Sequence, residues 1–335
     1  MATLSEMMQA LIPATQRQTA AEVTEALDLG SGDRAGKRSG FLIMLTLAGI
    51  IAIAGVLTDS TATVIGAMII APLGTPILGI GLGIVRGHLS LVVRSILWVL
   101  LGVAIVIVLG LAFSVFVSTP ESLETNSQVV GRTSPSFMDL VAALATGFAG
   151  GFAMCRKDLS AILPGVAIAI SLVPPLGVVG VCAGQGLWTD AVGALWLFLS
   201  NVVALVIAGS IVFTLAGYAR DPGSSRVANR RRAYTIVTVL AVVITIPLIV
   251  NSVVSVALAR WSVGIQNAAT QWLADDEGAR VYGVEWSGAT ATIEVTTEDG
   301  ETPPLDELQE AVAAVVPSFV GVVVDVGQGV EIPVQ

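Results

Sequence analysis

The stretch GAMIIAPLGTPILGIGLG, from Gly66 to Gly83, decides how this chain folds. It is apolar enough to lie in a lipid bilayer, yet it contains two prolines and five glycines. A proline has no backbone N–H group, and its ring clashes with the carbonyl of the preceding turn, so it interrupts a helix. In lipid, a backbone group that loses its helical partner must find another one. We therefore expect a broken membrane helix whose open backbone groups are bonded by neighbouring helices, by water or by a bound solute.

The composition is that of a polytopic membrane protein. Of the 335 residues, 54% are hydrophobic and 12% are charged, whereas an average soluble domain has about 25% charged residues. The net charge of −9 does not indicate nucleic-acid binding, because the acidic residues cluster in the termini and the predicted outer loops. About forty mostly polar residues precede the first apolar run, so the N-terminus is not expected to be a signal peptide. The expected partner is the lipid bilayer, with no nucleic acid.

Long apolar runs predict seven membrane-spanning helices, since about 20 residues cross a hydrocarbon core of roughly 30 Å. The predicted spans are Phe41–Thr58, Ala62–Ile84, Leu91–Val117, Phe137–Cys155, Ser160–Ala183, Ala191–Leu215 and Ala233–Leu258. Thirteen of the sixteen Lys and Arg residues fall on segments that this count places on one side. Because basic residues are retained on the cytoplasmic side, the N-terminus is predicted to be cytoplasmic and the C-terminal region extracytoplasmic.

The broken stretch has a counterpart 99 residues later, GVAIAISLVPPLGVVG from Gly165 to Gly180. Without gaps, Pro76 aligns with Pro175 and Gly81 with Gly180. Each stretch is preceded by one span and followed by a longer one, so each belongs to a set of three spans. Because three is an odd number, the second set starts on the opposite side of the membrane and is inverted relative to the first. We therefore predict an all-α fold of seven transmembrane helices, arranged as a 3+3 inverted repeat plus one. The alternative is that the prolines only kink two helices for packing.

The two breaks predict a binding site near the middle of the membrane. Broken helices that face each other offer carbonyl oxygens to a cation and N–H groups to an anion. Hydroxyl groups beside the breaks and an amide deep in the sixth span add side-chain contacts. The predicted substrate-binding residues are Pro72, Thr75, Pro76, Ser171, Pro174, Pro175 and Asn201.

Three acids, Asp59, Asp139 and Asp190, fall at the predicted outer ends of spans. Together they would form an acidic outer vestibule that concentrates cations. The alternative is helix capping, because aspartate is favoured at helix starts. Both interpretations fit the sequence.

The sequence contains no motif for covalent or metal chemistry. It has no Ser-His-Asp set, no HExxH, no P-loop and no CxxC pair. His88 has no companion at metal-ligand spacing and is expected at the surface. Cys155 and Cys182 are expected to serve packing. We therefore predict no catalytic residue, no metal and no cofactor, in a protein that is not an enzyme.

The two ends of the chain differ from the apolar core. An amphipathic pattern near the N-terminus predicts one or two helices that lie on the inner membrane surface or on another subunit. After Arg260, the stretches ARVYGVEW, ATIEVTT and FVGVVVDV predict strands, with a helix between the last two. The predicted domains are 1–40 (cytoplasmic helix and linker), 41–217 (inverted-repeat core), 218–259 (basic inner loop and seventh helix) and 260–335 (a small extracytoplasmic α/β domain, ββαβ).

The phrases VIGAMIIAPLGTPILGIGLGIVRG and PGVAIAISLVPPLGVVG resemble a prokaryotic membrane family known as domain of unknown function 389. The resemblance covers roughly residues 41–215 and implies a hydrophobic polytopic core in a prokaryotic plasma membrane. It implies no catalytic or binding residue, because the family has no assigned activity.

Three functions fit these features. The leading hypothesis is a secondary transporter or facilitator of a small solute or ion, which binds between the two broken helices. A cation-selective channel would use the same helices to line a continuous pore, with the outer acids selecting cations. A membrane sensor or assembly scaffold would act through the C-terminal domain instead. A homo-oligomer is expected in each case.

Overall fold

The computed structural model describes residues 12–13, 15–117, 119–133, 137–159, 172–219, 227–274, 279–287, 290–297, 303–317 and 319–328. The chain forms two compact units, Met1–Ile249 and Val250–Gln335. The first unit is helical and holds the predicted membrane core. The second contains a small sheet.

The first unit contains ten helices within the described residues. In chain order they are α1 (Ala20–Leu27), α2 (Arg34–Leu57), α3 (Thr61–Ile70), α4 (Gly74–Arg86), α5 (Leu89–Phe113), α6 (Glu121–Glu124), α7 (Ser127–Thr133), α8 (Phe137–Cys155), α9 (Val173–Gly184) and α10 (Trp188–Leu215). A further helix, α11 (Val227–Trp272), runs from this unit into the second one.

Several helices are long and apolar enough to cross a membrane. Four of them qualify singly within the described ranges, namely α2, α5 with the short 3-10 turn that follows it, α8 and α10. Helices α3 and α4 qualify together, with a bend of 48° between them. The apolar helices of a membrane protein and the break between α3 and α4 are therefore confirmed, whereas the joining of α3 and α4 into one span stays a prediction. The count of seven stays a prediction, because the first half of the predicted fifth span, Ser160–Ala183, lies outside the described residues.

Helices α4 and α5 form an antiparallel hairpin. Gly83 of α4 lies against Val92 of α5, and Gly79 lies against Ser95 further from the turn. Gly87 closes the hairpin with φ 69°, a left-handed conformation that glycine adopts without steric cost. Glycine at positions 79 and 83 therefore permits a close approach of the two helices.

Helices α5 and α9 run in the same direction. Gly180 of α9 lies against Gly110 of α5, and four residues later Gly184 lies against Ser114. A Cβ at Gly180 would come within 2.7 Å of the Gly110 Cα, so both backbones are in contact. Because α4 is antiparallel to α5, α9 runs opposite to α4.

Helix boundaries recur at a spacing of 99 residues. Helices α4 and α9 begin 99 residues apart, and so do α5 and α10. The turns between them recur as well, since Gly87 has φ 69° and Gly186 has φ 79°. Local conformation thus follows the sequence repeat.

Tertiary contacts recur at the same spacing. Gly81 of α4 lies against the carbonyl oxygen of Val206 in α10. Gly180, which is 99 residues after Gly81, lies against the carbonyl oxygen of Ile107 in α5, which is 99 residues before Val206. The third helix of each set of three therefore packs against the broken-span helix of the other set.

The second unit is a three-stranded sheet covered on one face by helices. Its strands are β1 (Arg280–Ser287), β2 (Thr290–Thr297) and β3 (Gly321–Gln328), and helix α12 (Leu305–Ala313) connects the last two. Strands β1 and β2 are antiparallel, β2 and β3 are parallel, and the order is β1-β2-β3. Ile265 and Trp272 of α11 pack with Ile293 of β2 and Leu308 of α12. These elements match the predicted ββαβ pattern.

Candidate functional site

The break in the second span has a local cause. Helix α3 ends at Ile70, and Ala71 is extended, with φ −71° and ψ 124°. A residue before proline is pushed toward this conformation by the proline ring, and Pro72 follows. The Thr75 N–H then donates to the Pro72 carbonyl at 3.2 Å, which turns the chain into α4.

The prolines begin helices in this structure rather than interrupting them. Pro76 lies in the first turn of α4, and Pro174 and Pro175 lie in the first turn of α9. First-turn N–H groups have no intrahelical acceptor, so a proline there leaves no polar donor unbonded. Pro72 and Pro76 thus lie at the break that the sequence predicts, whereas the segment before Pro174 lies outside the described residues. The first-turn prolines allow two helices to start in an apolar interior at low cost.

The predicted site residues differ in their environment. Pro76, Pro174, Pro175 and Asn201 are buried, whereas Pro72 and Thr75 are half-buried. Ser171 lies outside the described residues. Neither α4 nor α9 has a side-chain cap at its start. Both starts thus leave backbone dipoles directed into the bundle.

The two broken-span helices are separated by other helices. Within the described parts of the chain, α4 packs against α5 and α10, whereas α9 packs against α2, α3, α5 and α10. Helices α4 and α9 do not pack along each other. The middle of α9 reaches the first broken span through α3, where Val64 and Met68 join the cluster of Val178 and Val179.

Asn201 lies at the depth of the first break. Helices α9 and α10 are joined by a short turn and run in opposite directions. Since α9 also runs opposite to α4, α10 runs in the same direction as α4. Asn201 precedes Val206 by five residues, and Pro76 precedes Gly81 by five. Since Gly81 lies against Val206 and a helix rises about 1.5 Å per residue, Asn201 and Pro76 share one level of the bundle.

At the predicted outer end, Asp59 binds the loop helix α7. Its carboxylate accepts hydrogen bonds from the Ser127 hydroxyl at 2.6 Å and from the Gln128 N–H at 3.2 Å. The Ser127 hydrogen bond is the main reason that the pKa of Asp59 is lowered. Asp139 and Asp190 lie in the first turns of α8 and α10. These positions fit the capping alternative, and the acidic vestibule stays a prediction.

At the opposite end, basic residues bind an N-terminal segment. Arg86 is only 8% exposed, and its Nη1 donates to the Thr24 hydroxyl at 2.7 Å. Arg94 forms an ion pair with the buried Asp28 at 2.9 Å. We call residues 15–31, which include α1, the N-terminal strap. The sequence analysis treated both arginines only as markers of topology and did not predict this contact.

A local motif indicates the strap helix. Thr19 and Glu22 form a capping box, in which the Glu22 N–H donates to the Thr19 hydroxyl and the Thr19 N–H donates to the Glu22 carboxylate. Val23 and Leu27 on the same helix are buried in the core of the bundle. Thr-x-x-Glu before an apolar pair is therefore the signal that could have located this helix.

Comparison with known proteins gives a family for the centre of the chain. Residues 68–207 match a family described as domain of unknown function (DUF389). This matched region includes the break before α4, the start of α9, Asn201 and both strap-binding arginines, whereas the strap itself and the C-terminal unit lie outside it.

The chain is also similar to the uncharacterized protein MJ0678 of Methanocaldococcus jannaschii. The two are 34% identical over 199 residues, which is 59% of this chain and 60% of the relative. The chain thus spans three-fifths of that relative's length. No solved structure matches the chain.

Proposed function

We propose that this protein is a secondary transporter or facilitator of a small solute or ion. The observation that carries the proposal is the pair of helices, α4 and α9, that start inside the bundle 99 residues apart and run in opposite directions. Interrupted helices related by inversion surround the substrate site in several families of secondary transporters. No catalytic, metal or cofactor role is included in the proposal.

An inverted repeat is supported by three independent features. The helix boundaries, the left-handed glycines and the reciprocal contacts of Gly81 and Gly180 all recur at 99 residues. The halves are α2 to α5 and α8 to α10, and α11 supplies the proposed seventh span. Movement of one half against the other would give alternating access to a site between them.

The proposed site lies between the break before α4 and the start of α9. The Thr75 hydroxyl and the Asn201 amide supply hydrogen bonds, and the starts of the two helices supply partial positive charge. Ser171 is the proposed counterpart in the second half. The prolines remove N–H donors from the first turns of α4 and α9. Side chains therefore supply more of the solute contacts than a site made of backbone groups alone would need.

The proposed orientation places the strap in the cytoplasm. Arg86, Arg94, Arg156 and Lys157 all lie at the end of the bundle that binds the strap. Asp59 and α7 lie at the other end. This division supports a cytoplasmic N-terminus in a prokaryotic plasma membrane, by the positive-inside bias.

The test is flux in proteoliposomes with radiolabelled rubidium, chloride and an amino-acid mixture as probes, under imposed sodium and proton gradients. A transporter accumulates one of these probes against its own gradient, whereas a channel only equilibrates it and conducts in single steps. The variant pair Thr75→Val and Asn201→Leu should reduce that flux at least about tenfold, as when a buried polar contact is lost.

Matched controls come from hydroxyls that bond their own helices. Thr146 donates to the Ala142 carbonyl, and Ser200, next to Asn201, donates to the Leu197 carbonyl. Thr146→Val and Ser200→Ala should leave flux within about twofold of the unaltered protein, because each removed hydroxyl is bonded to a carbonyl of its own helix and not to the solute. Equal loss in the controls, or no flux of any probe, would overturn the proposal.

A further inference from the structure

The N-terminal strap lies across one end of the bundle and contacts both halves of it. To the first half it presents the carbonyl and hydroxyl groups that bind Arg86, and the Asp28 carboxylate that binds Arg94. The Leu27 carbonyl also lies against Gly79, where a side chain would come within 3.1 Å of it. The strap thus covers the end of the α4–α5 hairpin.

The same strap is bonded to the second half through its backbone. The Gln18 N–H donates to the Cys155 carbonyl at 2.9 Å, and the Lys157 N–H donates to the Gln16 carbonyl at 2.8 Å. The Tyr218 hydroxyl, beyond the end of α10, donates to the Gln18 carbonyl at 2.9 Å. Helices α8 and α10 are therefore joined to the α4–α5 hairpin through residues 16–28.

One feature suits this contact to reversible release. Arg86 is nearly buried, but in the described part of the chain it has no carboxylate partner, and its Nε has no hydrogen-bond acceptor. A buried cation with neutral partners only is held weakly, since desolvation opposes the contact. Gly32 follows the strap with φ 60°, a left-handed conformation that turns the chain before Asp33 caps α2.

We propose that the N-terminal strap is an inner gate, which must leave the bundle before the two halves can separate at this end. The inference rests on the proposed transport function. While the strap is bound, it joins the halves at the end predicted to face the cytoplasm. When it is released about Gly32, the end of the bundle opens and a solute in the central site can leave.

The first test measures release without any solute. In a background of Cys155→Ala and Cys182→Ala, Val23→Cys places a thiol at a position that is 0% exposed while the strap is bound. Ala26→Cys, on the exposed side of the same helix, reports the labelling rate of a free thiol. The probe is a charged maleimide added to purified protein in lipid nanodiscs.

Asp28→Asn should raise the Val23→Cys labelling rate about tenfold, equivalent to about 1.4 kcal/mol, because it removes the ion pair with Arg94. Glu25→Gln, which removes an equal charge at an exposed strap position, should leave that rate unchanged. Ala26→Cys should label at the same rate in every variant. An unchanged rate with Asp28→Asn, or an equal rise with Glu25→Gln, would overturn the gate.

The second test locks the strap in place. Arg17 and Arg156 are paired across an antiparallel bridge whose flanking residues form the hydrogen bonds. Such a pair has Cα atoms about 4.5 Å apart, which suits a disulfide. Arg17→Cys with Arg156→Cys should therefore cross-link on oxidation by copper phenanthroline and reopen with dithiothreitol.

Flux of the probe identified in proteoliposomes should fall at least about tenfold in the oxidised protein and return on reduction. The reduced form of the double variant is the control for the loss of the two arginine side chains. If flux persists in fully cross-linked protein, the gate is wrong and the transport proposal stands. If the reduced and unaltered proteins show no flux, the transport proposal fails and the gate fails with it, while the labelling test still reports strap release.

Discussion

Gly81 and Val206 touch through their backbones, so that a Cβ at position 81 would lie 3.2 Å from the Val206 carbonyl oxygen. The equivalent pair, 99 residues away in each direction, is Gly180 and Ile107. Contacts between backbones leave no room for side-chain adjustment, so each half of the bundle fixes the position of the other half's broken-span helix. The stability of both contacts can be measured.

Gly180→Ala should destabilise the bundle. The new methyl group would meet the Gly110 backbone at 2.7 Å, and overpacking of this kind costs about 1–3 kcal/mol. Thermal unfolding in detergent should show a lowered Tm. Gly66→Ala is the matched control, because Gly66 lies in α3 with nothing within 4 Å of its added Cβ; its Tm should be equal or higher.

The ion pair between Asp28 and Arg94 should show coupling in a double-mutant cycle. Asp28 is 7% exposed at its side chain and Arg94 is 37% exposed, so solvent screens the pair in part. We expect Arg94→Ala to lower the free energy of unfolding by about 1–3 kcal/mol, because it leaves a buried carboxylate unpaired. The double variant Asp28→Asn with Arg94→Ala should lose less free energy of unfolding than the two single variants lose in sum. Strict additivity would contradict the pairing.

Attachment of α7 should depend on pH through Asp59. Hydrogen bonds lower the pKa of Asp59 in the folded protein, so its stabilising effect is complete above the unfolded pKa of about 3.9 and is lost as the pH falls through the lower folded value. Hydrogen exchange of residues 121–133, corrected for intrinsic rates, should show protection at neutral pH that disappears in acid. Asp59→Asn tolerates the backbone φ of 49° at this position and should remove the pH-dependent step. A step that persists in this variant would assign the effect to another group.

The proposed orientation can be checked with single cysteines. Ala26 on the strap and Glu121 on α6 are both exposed, and in the cysteine-free background each can be replaced by Cys. In intact cells, an impermeant maleimide should label Glu121→Cys and leave Ala26→Cys unlabelled until the membrane is opened. The reverse pattern would invert the topology.

The C-terminal unit should fold by itself. Its core contains Ile293, which is fully buried, and the Trp272 indole N–H donates to the Pro304 carbonyl at 3.0 Å. The isolated segment 260–335 should give a cooperative thermal transition by circular dichroism. Ile293→Ala should lower its stability by about 2–5 kcal/mol through loss of packing. Flux that survives removal of residues 261–335 would argue against the scaffold alternative.

Much of the architecture was predictable because its causes are local. The apolar runs predicted α2, α5, α8 and α10, and the prolines of the opening stretch predicted the break between α3 and α4. Turn residues and alternating strands predicted the order of elements in the C-terminal unit. The count of helix-breaking residues did not show that Pro76, Pro174 and Pro175 each lie in the first turn of a helix.

The sequence by itself determined which segments are apolar, where the second span breaks and that a 99-residue pattern exists, because these depend on residues close together in the chain. Only the tertiary structure decided that α4 packs against α10 while α9 packs against α5, that Asp59 binds α7, and that Arg86 and Arg94 bind the strap. Those contacts join groups far apart in sequence. They depend on which helices come close enough for their backbones to touch. The order of neighbouring residues in the chain does not show which helices these are.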